Sequence, residues 1–179
     1  MKTILLGVTG SIAAYKGADV ARRLTKEGFS VHVIMTKAAR EFITPLTFQT
    51  LTGNRVYGEM FDGSEDPTVS HIALAKEADL VLIAPATANI IAKLAGGIAD
   101  DMLTSTCLAA WRKPLVICPA MNTNMYENPA TQHNMEVLAR RGALFVEPQT
   151  ALLACGDMGK GALADPSQIV AAVRDLLEK

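Results

Sequence analysis

Aromatic residues make up only 5% of the chain, with a single tryptophan among them. Half the residues are nevertheless hydrophobic, so the core must be built from aliphatic side chains, alanine and methionine. Charge of one sign is also missing: 17 basic residues face 18 acidic ones and are dispersed along the chain. That balance argues against a nucleic-acid face or an acidic tail. Long hydrophobic runs are absent, and stretches such as "ADLVLIAPA" are far too short to cross a bilayer. The N-terminus "MKTILLGVTGSIAAYKG" begins like a signal peptide, with a basic residue and an apolar run. Gly7, Thr9, Gly10 and Ser11 interrupt that run, which passes into a helix pattern, so no secretory leader is expected. The three cysteines, at 107, 118 and 155, show neither CxxC nor paired spacing, as expected of reduced thiols in a cytoplasmic protein. Three scattered histidines argue against a metal site. With no internal repeat and no low-complexity linker, residues 1–179 read as one domain.

What is present is an alternation of strands and helices. "KTILLGVTG" is a β-branched run ending in glycine, and "SIAAYKGADVARRLTKEG" is a helix pattern closed by Gly28. Ile12, Tyr15, Val20 and Leu24 fall on one face of that helix, and Ser11 suits its N-cap. "FSVHVIMT" is a second strand, so the chain opens with a βαβ unit and a parallel sheet. "AAREFI" and "PLTFQTLTG" read as helices, the latter opened by Pro45 and stopped by Gly53. Residues 58–69 read as loop. Helix "SHIALAKEA", strand "DLVLIAPA", helices "ANIIAKLAGG" and "DDMLTSTCLAAW" and strand "PLVICPA" follow. Helix "NPATQHNMEVLARRG", strand "ALFVEP" and helix "DPSQIVAAVRDLLEK", capped by Asp165 and Pro166, complete the chain. The sum is an α/β three-layer sandwich, a Rossmann/flavodoxin-like, mostly parallel sheet of five or six strands with helices on both faces.

In such sheets ligands bind beyond the C-terminal ends of strands, where the strand order reverses. "GVTGSIA", "IMTKAA", "APATAN" and "PAMNTNM" all follow strands and are expected to crowd one sheet edge. Gly10 and Ser11 form a strand-to-helix turn that offers N–H groups to an anion, although a tight turn with no ligand fits the same residues. The spacing is not GxGxxG, and the second strand ends in Met35 and Thr36 rather than an acidic residue. A flavin mononucleotide phosphate therefore fits better than NAD, with Thr36 as a donor. Pro85 and Ala86 provide a flat apolar surface for a flavin ring; Thr87 and Asn89 suit its polar edge, or simple helix capping. Ser105 reaches toward phosphate or ring from the next helix.

"GSIAAYK", "HIALAKEADLVLIAPATANIIAKLAGGIADDMLT", "PAMNTNMYENP" and "ACGDMGKGAL" occur in that order along nearly the whole chain. In this the sequence resembles the homo-oligomeric flavin-containing cysteine decarboxylases, and among them the branch acting on 4′-phosphopantothenoylcysteine in coenzyme A biosynthesis. The resemblance implies FMN held at subunit interfaces of a homotrimer, or of a dodecamer built from trimers. Its cofactor contacts would be Gly10, Ser11, Ile12, Thr36, Phe42, Pro85, Ala86, Thr87, Ala88, Asn89 and Ser105. It also implies the reaction. Hydride passes from the sulfur-bearing carbon to the flavin, and the resulting C=S group accepts the electrons released as carbon dioxide leaves. The ene-thiol is then reduced to 4′-phosphopantetheine.

Three residues are expected to be catalytic. His71, near a helix N-terminus where a cation is disfavoured, suits a neutral base or hydrogen-bond partner, though a solvent-facing helix residue fits as well; the resemblance makes it catalytic. Asn122 holds the substrate carboxylate through N–H without the full charge of an arginine. Ala120, Met121 and Met125 surround it, Met125 fitting a core position equally well. Cys155 lies among Gly156, Gly159 and Gly161, which imply a flexible flap, and the resemblance makes it the proton donor for the reduction. Relatives commonly carry arginine where this chain has Ala162, and Lys160 is the expected source of charge near the substrate phosphate. A lantibiotic-type peptidyl-cysteine decarboxylase, a flavin prenyltransferase and a non-catalytic flavin-binding regulatory subunit are the rival readings. The chain also fits the N-terminal part of a bifunctional protein with a phosphopantothenate–cysteine ligase.

Overall fold

The computed structural model describes residues 1–60 and 70–178. β1 (Thr3–Val8), α1 (Ala14–Lys26) and β2 (Ser30–Met35) form the opening βαβ unit. A 3-10 turn at Lys37–Glu41, α2 (Pro45–Thr52) and the two-residue β3 (Val56–Tyr57) follow. Next come α3 (Ser70–Glu77), β4 (Leu80–Ala86), α4 (Ala88–Gly96), α5 (Met102–Ala109), β5 (Leu115–Pro119), α6 (Thr123–Glu127), α7 (Pro129–Arg140) and β6 (Leu144–Phe145). An antiparallel hairpin, β7 (Gln149–Leu152) and β8 (Met158–Ala162), precedes α8 (Pro166–Leu177).

The main sheet has six strands in the order β3-β2-β1-β4-β5-β6, every pairing parallel. Alternation along the strands sorts the core into two layers. Ile4, Leu6, Val33, Leu80 and Leu82 face α1, α2 and α8, where Val20, Leu24, Phe48, Ile169 and Val173 are buried. Leu5, Ile34, Val81, Ile83 and Ile117 face α3, α4, α5 and α7, meeting Leu74, Ile91, Leu103 and Met135. Each fully buried aliphatic side chain contributes on the order of 1.5–3 kcal/mol. β4 is buried along its whole length, as a central parallel strand must be. Helix ends follow local chemistry: Gly53 (φ 71°) closes α2, and Asp165 opens α8 with a capping box to Gln168.

Several expectations are corrected. Ser11 is not the N-cap of α1, because its Oγ accepts from the Ala13 N–H at 3.3 Å and closes a separate turn, delaying the helix to Ala14. Ile12 and Tyr15 consequently face outward, 58% and 61% exposed. "AAREFI" forms the 3-10 turn rather than an α-helix, and β3 and α6 are additional short elements. The glycine-rich flap is a paired hairpin. Of the loop expected at 58–69, residues 61–69 lie outside the described residues.

Candidate cofactor and substrate site

Strand order reverses between β1 and β4, and that switch point is tied together by Thr9, which the sequence reading did not single out. Its buried hydroxyl donates to the Pro85 carbonyl at 2.7 Å and accepts from the Thr87 N–H at 3.1 Å. The Ala120 N–H donates to the Ala86 carbonyl at 2.9 Å, joining the end of β5 to the same edge. Gly10 sits just beyond β1, where a Cβ would lie 2.5 Å from the Ala38 Cβ. Its bareness therefore admits the close approach of the 3-10 turn.

A cleft of about 520 Å³ opens at this edge, within the usual size range for a cofactor or small-molecule site. It gathers Gly10, Ser11, Ile12, Phe42, Thr87, Ala120, Met121, Asn122, Met125 and Cys155 from six separate stretches of the expected site. Met125 is half exposed here, which removes the core alternative. Tyr15, Lys16, Leu152 and Leu153 also line the cleft, and Lys16 is its one cation among the described residues. Placing the start of α1 at Ser11 had hidden Tyr15 and Lys16; with the helix starting at Ala14 they fall in its first turn. A smaller cavity of about 160 Å³ lies near the opposite sheet edge, lined by Leu94, Cys107 and Trp111 among others. None of the expected site residues reaches it.

Asn122 and Cys155 meet in the cleft although 33 residues separate them. Asn122 is the N-cap of α6: its Oδ1 accepts from the Asn124 N–H at 2.8 Å. That bond orients the amide so that Nδ2 donates to Cys155 Sγ at 3.3 Å. The exposed Cys155 thiol in turn donates to Asp157 Oδ2 at 3.4 Å. The hairpin bearing Cys155 is fastened by the Met121 N–H, which donates to the Gly161 carbonyl at 2.9 Å.

Lys160 does not line the cleft. Its Nζ donates to Glu147 Oε2 at 2.6 Å and lies 5.2 Å from the centre of the Tyr126 ring, while the Tyr126 hydroxyl donates to the same carboxylate oxygen at 3.0 Å. The Lys160 hydrogen bond holds the Glu147 carboxyl below its ordinary range, and the same bond raises the Lys160 ammonium. Burial pushes the Tyr126 phenol up, with the Glu147 contact adding to it. In this structure Lys160 is thus held in an ion pair with Glu147 outside the cleft.

The other expected residues lie off this cleft. Thr36 caps the 3-10 turn, its Oγ1 accepting from the Ala39 N–H at 3.2 Å. Pro85 and Ala86 are buried in β4, Ala88 opens α4, and Asn89 is exposed beside it. Ser105 Oγ donates to the Ala99 carbonyl at 3.4 Å. His71 is half-buried in the first turn of α3. The cleft therefore holds part of the expected set, and α3–α5 carry another part. Of the remaining thiols, Cys107 is pushed up to about 12 chiefly by burial, and Cys118 is raised by burial alone.

A doubly wound parallel sheet with this cleft at its switch point defines a nucleotide- or flavin-binding class of α/β protein. The chain belongs to the Flavoprotein family, whose model matches residues 1–178. It is 50% identical over 177 residues to a probable phosphopantothenoylcysteine decarboxylase of Streptococcus mutans, covering 98% of this chain and 99% of that one. It is also 50% identical over 170 residues to a coenzyme A biosynthesis bifunctional protein, CoaBC, of Vibrio vulnificus, covering 95% of this chain but only 42% of that protein. Among solved structures, a cysteine-to-serine mutant of PPC decarboxylase complexed with pantothenoylaminoethenethiol superposes with a TM-score of 0.86 at 34% identity, covering 99% of both chains. The FMN binding protein AtHal3 gives 0.84 at 34% identity, covering 99% of this chain and 97% of that one. Among the described residues no helix is long and apolar enough to cross a membrane.

Proposed function

We propose that the chain catalyses FMN-dependent decarboxylation of 4′-phosphopantothenoylcysteine to an ene-thiol and its reduction to 4′-phosphopantetheine, in the cytoplasm. The observation that carries this reading is the Asn122–Cys155 pair, an amide donor and a thiol brought to 3.3 Å beside an apolar cleft. The cleft suits FMN: Ser11 offers a hydroxyl to the phosphate end, and Ile12 and Phe42 offer apolar walls to a flat ring. When bound, FMN supplies the two-electron acceptor that decarboxylation of an unactivated cysteinyl carboxylate requires.

The chain's own residues supply the rest. Asn122 Nδ2 carries two hydrogens; one is directed at Cys155 and the other is available to a carboxylate oxygen. Holding that carboxylate with a neutral donor between Met121 and Met125 keeps it poorly solvated without a full counter-charge, which favours its loss. Cys155 then provides the proton to carbon during reduction of the ene-thiol. With Lys160 paired to Glu147, Lys16 replaces it as the cation for the substrate's phosphate end.

The protein is further proposed to work as a homo-oligomer, a trimer or a dodecamer of trimers. His71, Asn89 and Ser105 would complete the cleft of a neighbouring protomer. A phosphopantothenate–cysteine ligase, fused or separate, is the proposed partner, since the chain matches 42% of the bifunctional CoaBC relative.

The test is incubation of FMN-loaded protein with 4′-phosphopantothenoylcysteine, followed by mass spectrometry. Loss of carbon dioxide with a saturated thiol product is expected. A Cys155→Ser holoenzyme should stop at the ene-thiol. Protein that takes up no FMN, or that leaves the substrate intact, would overturn the reading.

A further inference from the structure

The two glycines of β8 face the segment that carries Asn122. A Cβ on Gly161 would fall inside contact distance of the Met121 carbonyl oxygen, and one on Gly159 inside contact distance of Thr123 Oγ1. The Gly159 Cβ would also stand 3.1 Å from both Cβ and Cγ2 of Thr123. The hairpin thus lies against residues 121–123 at a separation that a side chain would not permit. Thr123 Oγ1, enclosed by this contact, is buried with no hydrogen-bond partner among the described residues. Leaving a hydroxyl unpaired in this way is unfavourable, so the approach is set by packing rather than by that group's own bonding. At one end of the contact Met121 N–H bonds the Gly161 carbonyl; at the other, Cys155 reaches Asn122.

We propose that Gly159 and Gly161 are positioning residues for the reduction step. Their missing side chains seat the hairpin on the 121–123 segment, and that seat delivers the Cys155 thiol to the Asn122 amide. The inference rests on the decarboxylase reading above. It replaces flexibility with close approach as the reason for these two glycines. Thr123 is the surface against which position 159 is gauged, so its truncation should compensate an enlargement there. Position 161 meets backbone, which no side-chain change can move out of the way.

The experiment uses FMN-loaded Gly159→Ala, Gly161→Ala, and each combined with Thr123→Ala. One readout is the ratio of ene-thiol to saturated product in a single turnover. The other is hydrogen exchange at the Met121 amide, which needs no substrate. Gly159→Ala should raise the ene-thiol ratio about tenfold or more, since a misplaced acid forfeits part of a contribution on the order of 10²–10⁴-fold. Met121 protection should fall by about tenfold as the seat opens. Adding Thr123→Ala should restore both readouts to within about threefold of wild type. Oγ1 and Cγ2 are then gone, and the remaining 3.1 Å approach to the Thr123 Cβ is relieved by a slight shift of the hairpin. Gly161→Ala should show the same defect without restoration. Wild-type ratio and protection in Gly159→Ala would overturn the proposal, as would a double variant as defective as the single one. Should Gly159→Ala not fold, the double variant decides: folding with wild-type protection supports the seat, and failure to fold overturns it. If wild type releases no carbon dioxide, the decarboxylase reading fails and with it the assigned step, whereas the exchange measurement separately reports the seat.

Discussion

The cleft and the flank formed by α3, α4 and α5 treat their polar groups in opposite ways. In the cleft, Asn122 is bonded to the sequence-distant Cys155, and Cys155 onward to its near neighbour Asp157. On the flank, Lys93 of α4 pairs with Asp100 and Asp101, and among the described residues the expected site residues take no part in that pairing. Asn89 is exposed, Ser105 Oγ donates to the nearby Ala99 carbonyl, and half-buried His71 stands in the first turn of α3. Exposed apolar residues accompany both regions, Ile12, Tyr15, Phe42 and Met125 at the cleft, and Ile72, Ile98, Leu108 and Trp111 among α3, α5 and the segments flanking α5. The contrast between the two regions is what the proposed site shared between copies would lead one to expect: a cleft already gathered on one chain, and further site residues carried on a separate flank.

The largest expected effect breaks the cleft. Asn122→Asp replaces the amide donor with a second carboxylate facing the substrate's own. Two like charges in a desolvated site are strongly unfavourable, and losing one positioned donor costs on the order of 10²–10³ in rate. Carbon dioxide release should fall at least that far while FMN stays bound, as read from the visible spectrum and a radiometric assay. Near-normal turnover would show that Asn122 does not face the carboxylate.

A smaller effect sharpens the comparison directly. His71→Ala and Cys155→Ser proteins, each deficient alone, are denatured together, refolded and reloaded with FMN. If each site takes Cys155 from one copy and His71 from the next, about a quarter of the sites in a random equimolar cyclic assembly carry both native residues. Saturated product should return to that fraction. A mixture no more active than its components would place the two residues in one protomer's site, or His71 outside the chemistry.

Much of this arrangement is legible in the sequence. Periodicity over long elements fixes the order of strands and helices, and four post-strand segments converge as the switch-point rule requires. Gly53 and the Asp165–Pro166 pair mark helix ends by local chemistry alone. Short elements escape because two residues in β3 and five in α6 carry too little pattern. Ser11 misleads because an N-cap and a preceding turn use the same residue type. Glycine is ambiguous in the same way, since freedom of the backbone and close approach of a neighbour both select it. Lys160 escapes for a different reason: its partner Glu147 is 13 residues away, and only the folded hairpin brings them together.

The smallest expected effect concerns how the cleft is held. Glu147 ties Lys160 of the hairpin to Tyr126 of α6, and its carboxyl is held below the ordinary value of 4.5 by the Lys160 hydrogen bond. A carboxyl lowered on folding contributes stability that is present above its unfolded value and is lost as pH falls through its folded one. Lys160, raised above 10.5 by the same bond, contributes below that value and loses it as pH rises through the raised one. The contact is therefore fully formed between those limits. Because the Glu147 and Lys160 side chains are 60% and 43% exposed, solvent screening keeps the pair near 0.2–1 kcal/mol, roughly the range of surface ion pairs. Glu147→Gln should lower stability by about that amount at neutral pH in urea unfolding, with the deficit shrinking as pH falls below the ordinary carboxyl value of 4.5 and through the lowered folded one. A deficit that stays constant down to acid pH would assign the loss to packing of the side chain rather than to its charge.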